Sequence, residues 1–227
     1  MTYNIQHGRG MDDQFDLKRT ASVLTALNPD VVFLQEVDCR RPRTGMRHQP
    51  AFLAKMLNMD YAYGAVKHYR PGSYGNAILS LYPIVNYINH ILPGEDQRCC
   101  LEAEIVTPLS NITVFGLHLG LKAAERYCHL QDIILPRVTA VSSPVILGGD
   151  FNARPESNEI SLVKDCLQDS FQANSGECTY TFPSDLPNVR IDYIFLNNHW
   201  DLNDCKIIPD TQASDHLLLV CEVIFER

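Results

Sequence analysis

The sequence predicts an α+β fold in which two packed, mainly antiparallel sheets carry helices on their outer faces. Three observations support this. Eleven strand-like segments alternate with only four helical ones. Several connections between strands are too short for a parallel crossover, which needs about a dozen residues. No Gly/Ser- or Pro-rich tract divides the 227 residues, so the chain is read as one domain over 1–227 without internal repeats.

The strands are runs of β-branched and aromatic residues: Thr2–Gln6, Val31–Val37, Tyr61–Val66, Asn76–Leu81, Ile84–Leu92, Leu101–Val106, Ile112–Leu119, Val145–Phe151, Arg190–Leu196, Lys206–Ile208 and Leu217–Phe225. Val31–Gln35 is almost continuously apolar, as expected for a strand buried on both faces. Asp16–Leu27 sets Leu17, Val23, Leu24 and Leu27 at helical spacing and stops at Asn28-Pro29. Gln49–Leu57, Lys122–Leu135 and Glu159–Leu167 read as further helices. Residues 76–81 with 84–92, and 101–106 with 112–119, are expected to form antiparallel hairpins.

A hydrophobic fraction of 45% with 20% charged residues excludes disordered and fibrous classes. The longest apolar run, near the C-terminus, is about ten residues against the roughly 18 needed to span a bilayer, so no transmembrane helix is expected. The N-terminus lacks the basic and apolar regions of a signal peptide, which favours a cytoplasmic location. A core strand opening at residue 2 is abrupt, and an export signal removed from upstream is compatible with it. Eight cysteines without a C-x-x-C pair are expected as reduced thiols, with Cys128, Cys166 and Cys221 at apolar positions.

Polar residues unsuited to a core strand recur at strand ends: Asn4, Glu36, Asn76, His118, Asp150 with Asn152, Asp192, and Asp215 with His216. Taken singly, an Asp or Asn closing a strand is a turn former; the recurrence is the signal. Glu36 ends a near-continuous apolar run and needs a partner, either a metal or an arginine of the next loop, Arg40 or Arg41. In Gly148-Gly149-Asp150-Phe151-Asn152 two glycines allow close backbone approach just before a carboxylate and an amide.

Together, Thr2-Tyr3-Asn4-Ile5, Leu34-Gln35-Glu36-Val37, Gly75-Asn76-Ala77-Ile78-Leu79-Ser80, Gly116-Leu117-His118, Gly148-Gly149-Asp150-Phe151-Asn152-Ala153, Arg190-Ile191-Asp192-Tyr193 and Ser214-Asp215-His216 resemble the endonuclease/exonuclease/phosphatase superfamily, with the motifs in its order from residue 2 to 216. The resemblance implies a four-layered αββα sandwich with its site at one end of the sheets, and Mg²⁺-dependent cleavage of phosphoesters, Mn²⁺ being an alternative metal. It implies Glu36 as principal metal ligand with Asn4 beside it and Asp215 completing the metal side. Asp150 would orient or deprotonate water, Asn152 hold a phosphate oxygen, and Asp192 fix the tautomer of a phosphate-contacting His216. His118 would be a second phosphate contact or a leaving-group acid. Hard oxygen ligands and imidazole donors suit a reaction whose transition state concentrates negative charge.

Charge narrows the substrate. Residues 1–76 hold ten basic and seven acidic side chains, whereas 77–227 hold nine and twenty, within an overall net charge of −8. Arg40, Arg41, Arg43 and Arg47, with His48, follow Glu36, and Lys67, His68 and Arg70 precede Asn76, so these loops and Asn76 are expected to bind the anionic part of the substrate. Tyr61, Tyr63, Tyr69 and Tyr74 are either stacking or packing residues. The acidic surface disfavours long duplex DNA, leaving a small phosphoester or lipid headgroup as the favoured partner. A nuclease acting on ends or single strands is the alternative, and a catalytically inert scaffold is disfavoured because every motif position holds the expected residue type.

Overall fold

The computed structural model describes residues 1–171, 179–209 and 212–225. In chain order its strands are β1 (Thr2–Asn4), β2 (Val31–Cys39), β3 (Asp60–His68), β4 (Ser73–Ser80), β5 (Ile84–Leu92), β6 (Arg98–Val106), β7 (Asn111–His118), β8 (Val145–Asp150), β9 (Gln168–Asp169), β10 (Asp192–Leu196), β11 (Trp200–Ile208) and β12 (Leu218–Phe225). They form two six-stranded sheets, ordered β11-β12-β1-β2-β4-β3 and β5-β6-β7-β8-β10-β9. Each sheet has one parallel pair at its centre, β1 with β2 and β7 with β8, and is otherwise antiparallel.

Side-chain alternation builds four layers. Phe33, Ile78, Leu101, Ala103 and Val114 meet between the sheets, while Val32, Leu34 and Leu79 point outward beneath α1 (Leu17–Leu27) and α2 (Gln49–Leu57). The second sheet is covered by α3 (Ala123–Cys128), a π-helical segment His129–Ile134, α4 (Leu135–Ala140) and α5 (Asn158–Lys164), over a core including Phe115, Leu147, Phe151 and Phe195. The sheets interlock where the Phe33 ring lies on Gly148; a Cβ there would sit 2.5 Å from a ring carbon. The glycine pair thus permits close approach, as its sequence suggests.

α1 begins where Asp16 accepts from the Lys18 and Arg19 amides and ends at Asn28 in the left-handed region (φ 45°), with Pro29 preventing continuation. The helix expected over 122–135 starts on schedule but widens into its π segment. Pro136 supplies no amide to the turn before it, and its ring opposes a regular α turn there.

Two expectations need correction. The 101–106/112–119 hairpin forms, but 76–81 and 84–92 lie in different sheets. β4 is already paired on both sides, by β2 and β3, so no edge is left for β5. The cysteines are not all reduced: Cys205 and Cys221 face each other in the β11–β12 register and form a disulfide, and Cys128 and Cys166 are exposed rather than apolar-packed. Cys178 lies outside the described residues. β11 also extends well before Lys206, its polar Asp201, Asn203 and Asp204 being tolerated on a sheet edge. No helix among the described residues is long and apolar enough to cross a membrane.

Candidate active site

The two central parallel pairs decide where the site forms. β1 and β2 run side by side with Asn4 opposite Gln35, and β7 and β8 with His118 opposite Asp150, so the C-terminal ends of all four strands open on one end of the sandwich. The antiparallel neighbours bring their starts to the same end. Asp192 opens β10 directly opposite Asp150, and Asp215-His216 lead into β12 beside β1. Half of the polar cluster therefore comes from each sheet.

Local backbone conformation aims the side chains. The β2–β4 register is broken between Leu34 and Val37, and Glu36 in that irregularity has φ 60°, turning its carboxylate out of the strand's alternation. Gln6, His7 and Asn152 also have positive φ. Non-glycine residues held this way cost roughly 1–3 kcal/mol each and concentrate at functional sites.

Asp150 is the hub. Its Oδ2 accepts from the Asn4 amide at 3.2 Å and lies 3.3 Å from His118 Nε2 and 3.8 Å from His216 Nε2, while its Oδ1 accepts from the Asn152 backbone amide at 2.9 Å. Behind it, His216 Nδ1 meets Asp192 Oδ2 at 2.9 Å. Gln6 donates to Asn4 Oδ1 from its backbone and to Asp215 Oδ2 from its side chain, tying those two together. Ser214 Oγ donates to the Asn4 carbonyl at 2.6 Å and so fastens the loop before β12 onto β1.

Burial and opposing charges separate the titrations. Burial pushes the Asp150 carboxyl up to about 7, with Asp192 adding to it and His216 acting against it. Burial disfavours a charged His216, but the Asp192 carboxylate overcomes this and lifts the ring to about 10. His118 is driven the other way, to about 3, by burial and by Arg98. At Glu36 burial opposes ionisation, yet the nearby imidazoles of His7, His118 and His216 outweigh it and hold the carboxyl at about 2.

The sequence overlooked three contributors, Gln6, His7 and Arg98. His7 Nδ1 lies 3.8 Å from Glu36 Oε2, and Arg98 Nη1 lies 3.3 Å from His118 Nδ1. Guanidinium can only donate, so Nδ1 of His118 accepts and the ring proton is on Nε2, facing Asp150. His118 therefore presents an N–H donor toward Asp150. No motif spacing links residues 98 and 118; their proximity comes from the β6–β7 register.

Other expected ligands are partly engaged elsewhere. Asn76 and Asn152 donate through their side-chain amides to the Cys99 and Leu119 carbonyls. Arg43 forms a two-pronged pair with buried Asp38, at 2.8 Å for both contacts, so it braces its loop rather than presenting a free cation. His48 accepts from the Ala51 amide as the cap of α2. Arg41 is stacked over Tyr69 with 3.3 Å from Cζ to the ring centroid, Arg47 lies over Phe52, and Arg40 and Arg70 are exposed. Tyr63 bonds Ser73, and burial pushes its phenol and that of Tyr74 upward, marking both as packing residues.

Residues 1–216 match the Endonuclease/Exonuclease/phosphatase family. The chain belongs to that family. The Escherichia coli K12 relative YbhP, itself uncharacterized, is 32% identical over 216 residues, 87% of this chain and 84% of its own. The Beutenbergia cavernae endonuclease/exonuclease/phosphatase structure aligns with a TM-score of 0.85 at 27% identity, covering 99% of this chain and 70% of that one. A mannosyl-6-phosphatase from Bacteroides thetaiotaomicron shares the fold with a TM-score of 0.78 at 18% identity, over 99% of this chain and 98% of that one. Members of the endonuclease/exonuclease/phosphatase family are hydrolases.

The donor set fits a divalent cation. Burial, with the Glu36 charge adding to it, pushes the Asp215 carboxyl up, so these two carboxylates repel each other at the site's mouth. Asn4 Oδ1 supplies a third hard oxygen tied to Asp215 through Gln6. Asp150, Asp192 and His216 also offer ligand atoms within 4.8 Å of one another, but the ring nitrogen facing Asp192 is already spent on that carboxylate.

Proposed function

We propose that this protein is a divalent-metal-dependent phosphoesterase acting on a small or lipid-type phosphoester, with Mg²⁺ as the metal and Mn²⁺ able to replace it. The observation that carries the reading is the convergence of Asp192, His216, Asp150, His118 and Asn4 on one point supplied by both sheets. When bound by Glu36, Asn4 and Asp215, the metal would stabilise charge developing on the phosphoryl and leaving oxygens.

The protein groups divide the remaining work. Asp150, raised toward neutrality, is matched to accept a proton from an attacking water. His216, held protonated by Asp192, presents Nε2–H as a charged donor to a phosphoryl oxygen, and neutral His118 presents a second donor from the other sheet. Asp192 acts through His216 as its positioning residue.

The direct test is hydrolysis of a chromogenic phosphodiester and monoester with Mg²⁺, before and after EDTA. Turnover is expected to vanish with EDTA, and Asp150→Asn is expected to lower kcat by about 10²–10⁴-fold. EDTA-insensitive turnover, or full activity in Asp150→Asn, would overturn the assignment. The preferred ester separates phosphatase from phosphodiesterase chemistry.

A further inference from the structure

Two adjoining segments on the catalytic end, the loop 40–48 after β2 and the end of β3 with its turn into β4 (67–72), concentrate unpaired positive charge. Arg40, Arg41, Arg47, Lys67 and Arg70 make no ion pair among the described residues, whereas neighbouring Arg43 is neutralised by Asp38. The loops are packed as one surface: Arg41 stacks on Tyr69, and a Cβ on Gly72 would overlap the Cys39 and Arg40 carbonyls.

Apolar side chains stand out from separate loops around the same end. Met46, Phe15, Leu121 and Leu186 are 49%, 49%, 67% and 74% exposed. Phe15 lies beside His7, the partner of Glu36; Leu121 follows His118 by three residues; Leu186 is in the loop whose Ser184 amide donates to the Asp215 carbonyl. Single exposed apolar residues are ordinary. Here four apolar tips from separate loops share the end that carries the unpaired cations of residues 40–47 and 67–70.

We infer that this end of the molecule docks on an anionic lipid surface. Cations would meet headgroup phosphates and the apolar tips would enter the headgroup–acyl boundary. Resting on the phosphoesterase reading, the inference makes the substrate a phosphoester presented by a membrane. Single-stranded nucleic acid would use the cations and Tyr69 but has no use for exposed leucines.

The test is cosedimentation with mixed phosphatidylcholine–phosphatidylglycerol vesicles, beside phosphatidylcholine alone. Wild type should partition onto the mixed vesicles, less so at high salt. Leu121→Asp with Leu186→Asp should reduce partition about tenfold while leaving turnover of a soluble chromogenic phosphoester and the thermal melt unchanged. Arg40→Glu and Lys67→Glu should each cost about fivefold or more. Absent partition with intact turnover of the soluble ester would overturn the docking surface and spare the phosphoesterase reading. Partition without any ester turnover would sustain the surface and defeat that reading. Binding to a single-stranded oligonucleotide, lost in Arg40→Glu but kept in Leu121→Asp, would reassign the patch and overturn the lipid proposal.

Discussion

Two imidazoles share one carboxylate in this site and are held in opposite states by what lies behind them. Asp192 backs His216 and Arg98 backs His118, so the ring nearest an anion is charged and the ring nearest a cation is neutral. Nitrogen-15 spectra of the metal-free protein at pH 8 should show His216 doubly protonated and His118 neutral with its proton on Nε2. A neutral His216 at that pH would refute the assignment. The linkage signs follow. His216 is raised from 6.5 to about 10, so its contribution to stability is complete below pH 6.5 and is lost as pH rises through about 10. His118 is lowered from 6.5 to about 3, so the unfolded chain binds its proton first and stability falls as pH drops through that window.

At the scale of elements, the helices over the second sheet are joined by a buried ion pair. Arg126 of α3 donates through Nε to Glu159 of α5 at 2.9 Å and through Nη1 to the Gly120 and Leu121 carbonyls, with both residues buried. The carbonyls come from the loop directly after His118, so the pair also supports the floor of the site. Removing one partner strands the other charge, and Glu159→Ala is expected to cost about 3–5 kcal/mol in chemical denaturation. A loss below about 1 kcal/mol would mean that Arg126 escapes to solvent.

For the molecule as a whole, the proposed site depends on the register of one sheet against the other, because Glu36, Asn4 and His216 arrive from the first sheet and Asp150, His118 and Asp192 from the second. Phe33 is the side chain that keys the two through Gly116 and Gly148. Phe33→Ala is expected to cost about 3–5 kcal/mol and to lower kcat even at temperatures where circular dichroism reports a folded protein. Unchanged kcat in that variant would show that the outer contacts alone hold the alignment.

The sequence by itself determined the strand-rich α+β class, the buried Val32–Gln35 stretch of β2 and the polar residues at strand ends, because these are properties of local composition and period. A carboxylate after Val31–Gln35, or Asp150 after two glycines, is anomalous without knowledge of any partner. The tertiary structure alone decided which groups meet. The parallel pairs bring Asn4 to Asp150 across 146 positions, the β6–β7 register places Arg98 behind His118, and the β11–β12 register joins Cys205 to Cys221. The same physics explains the errors. Which edge remains open to β5, and whether Arg43 meets a substrate anion or the buried Asp38, are outcomes of competition among distant segments, and a short turn or a basic run carries no record of the competitor.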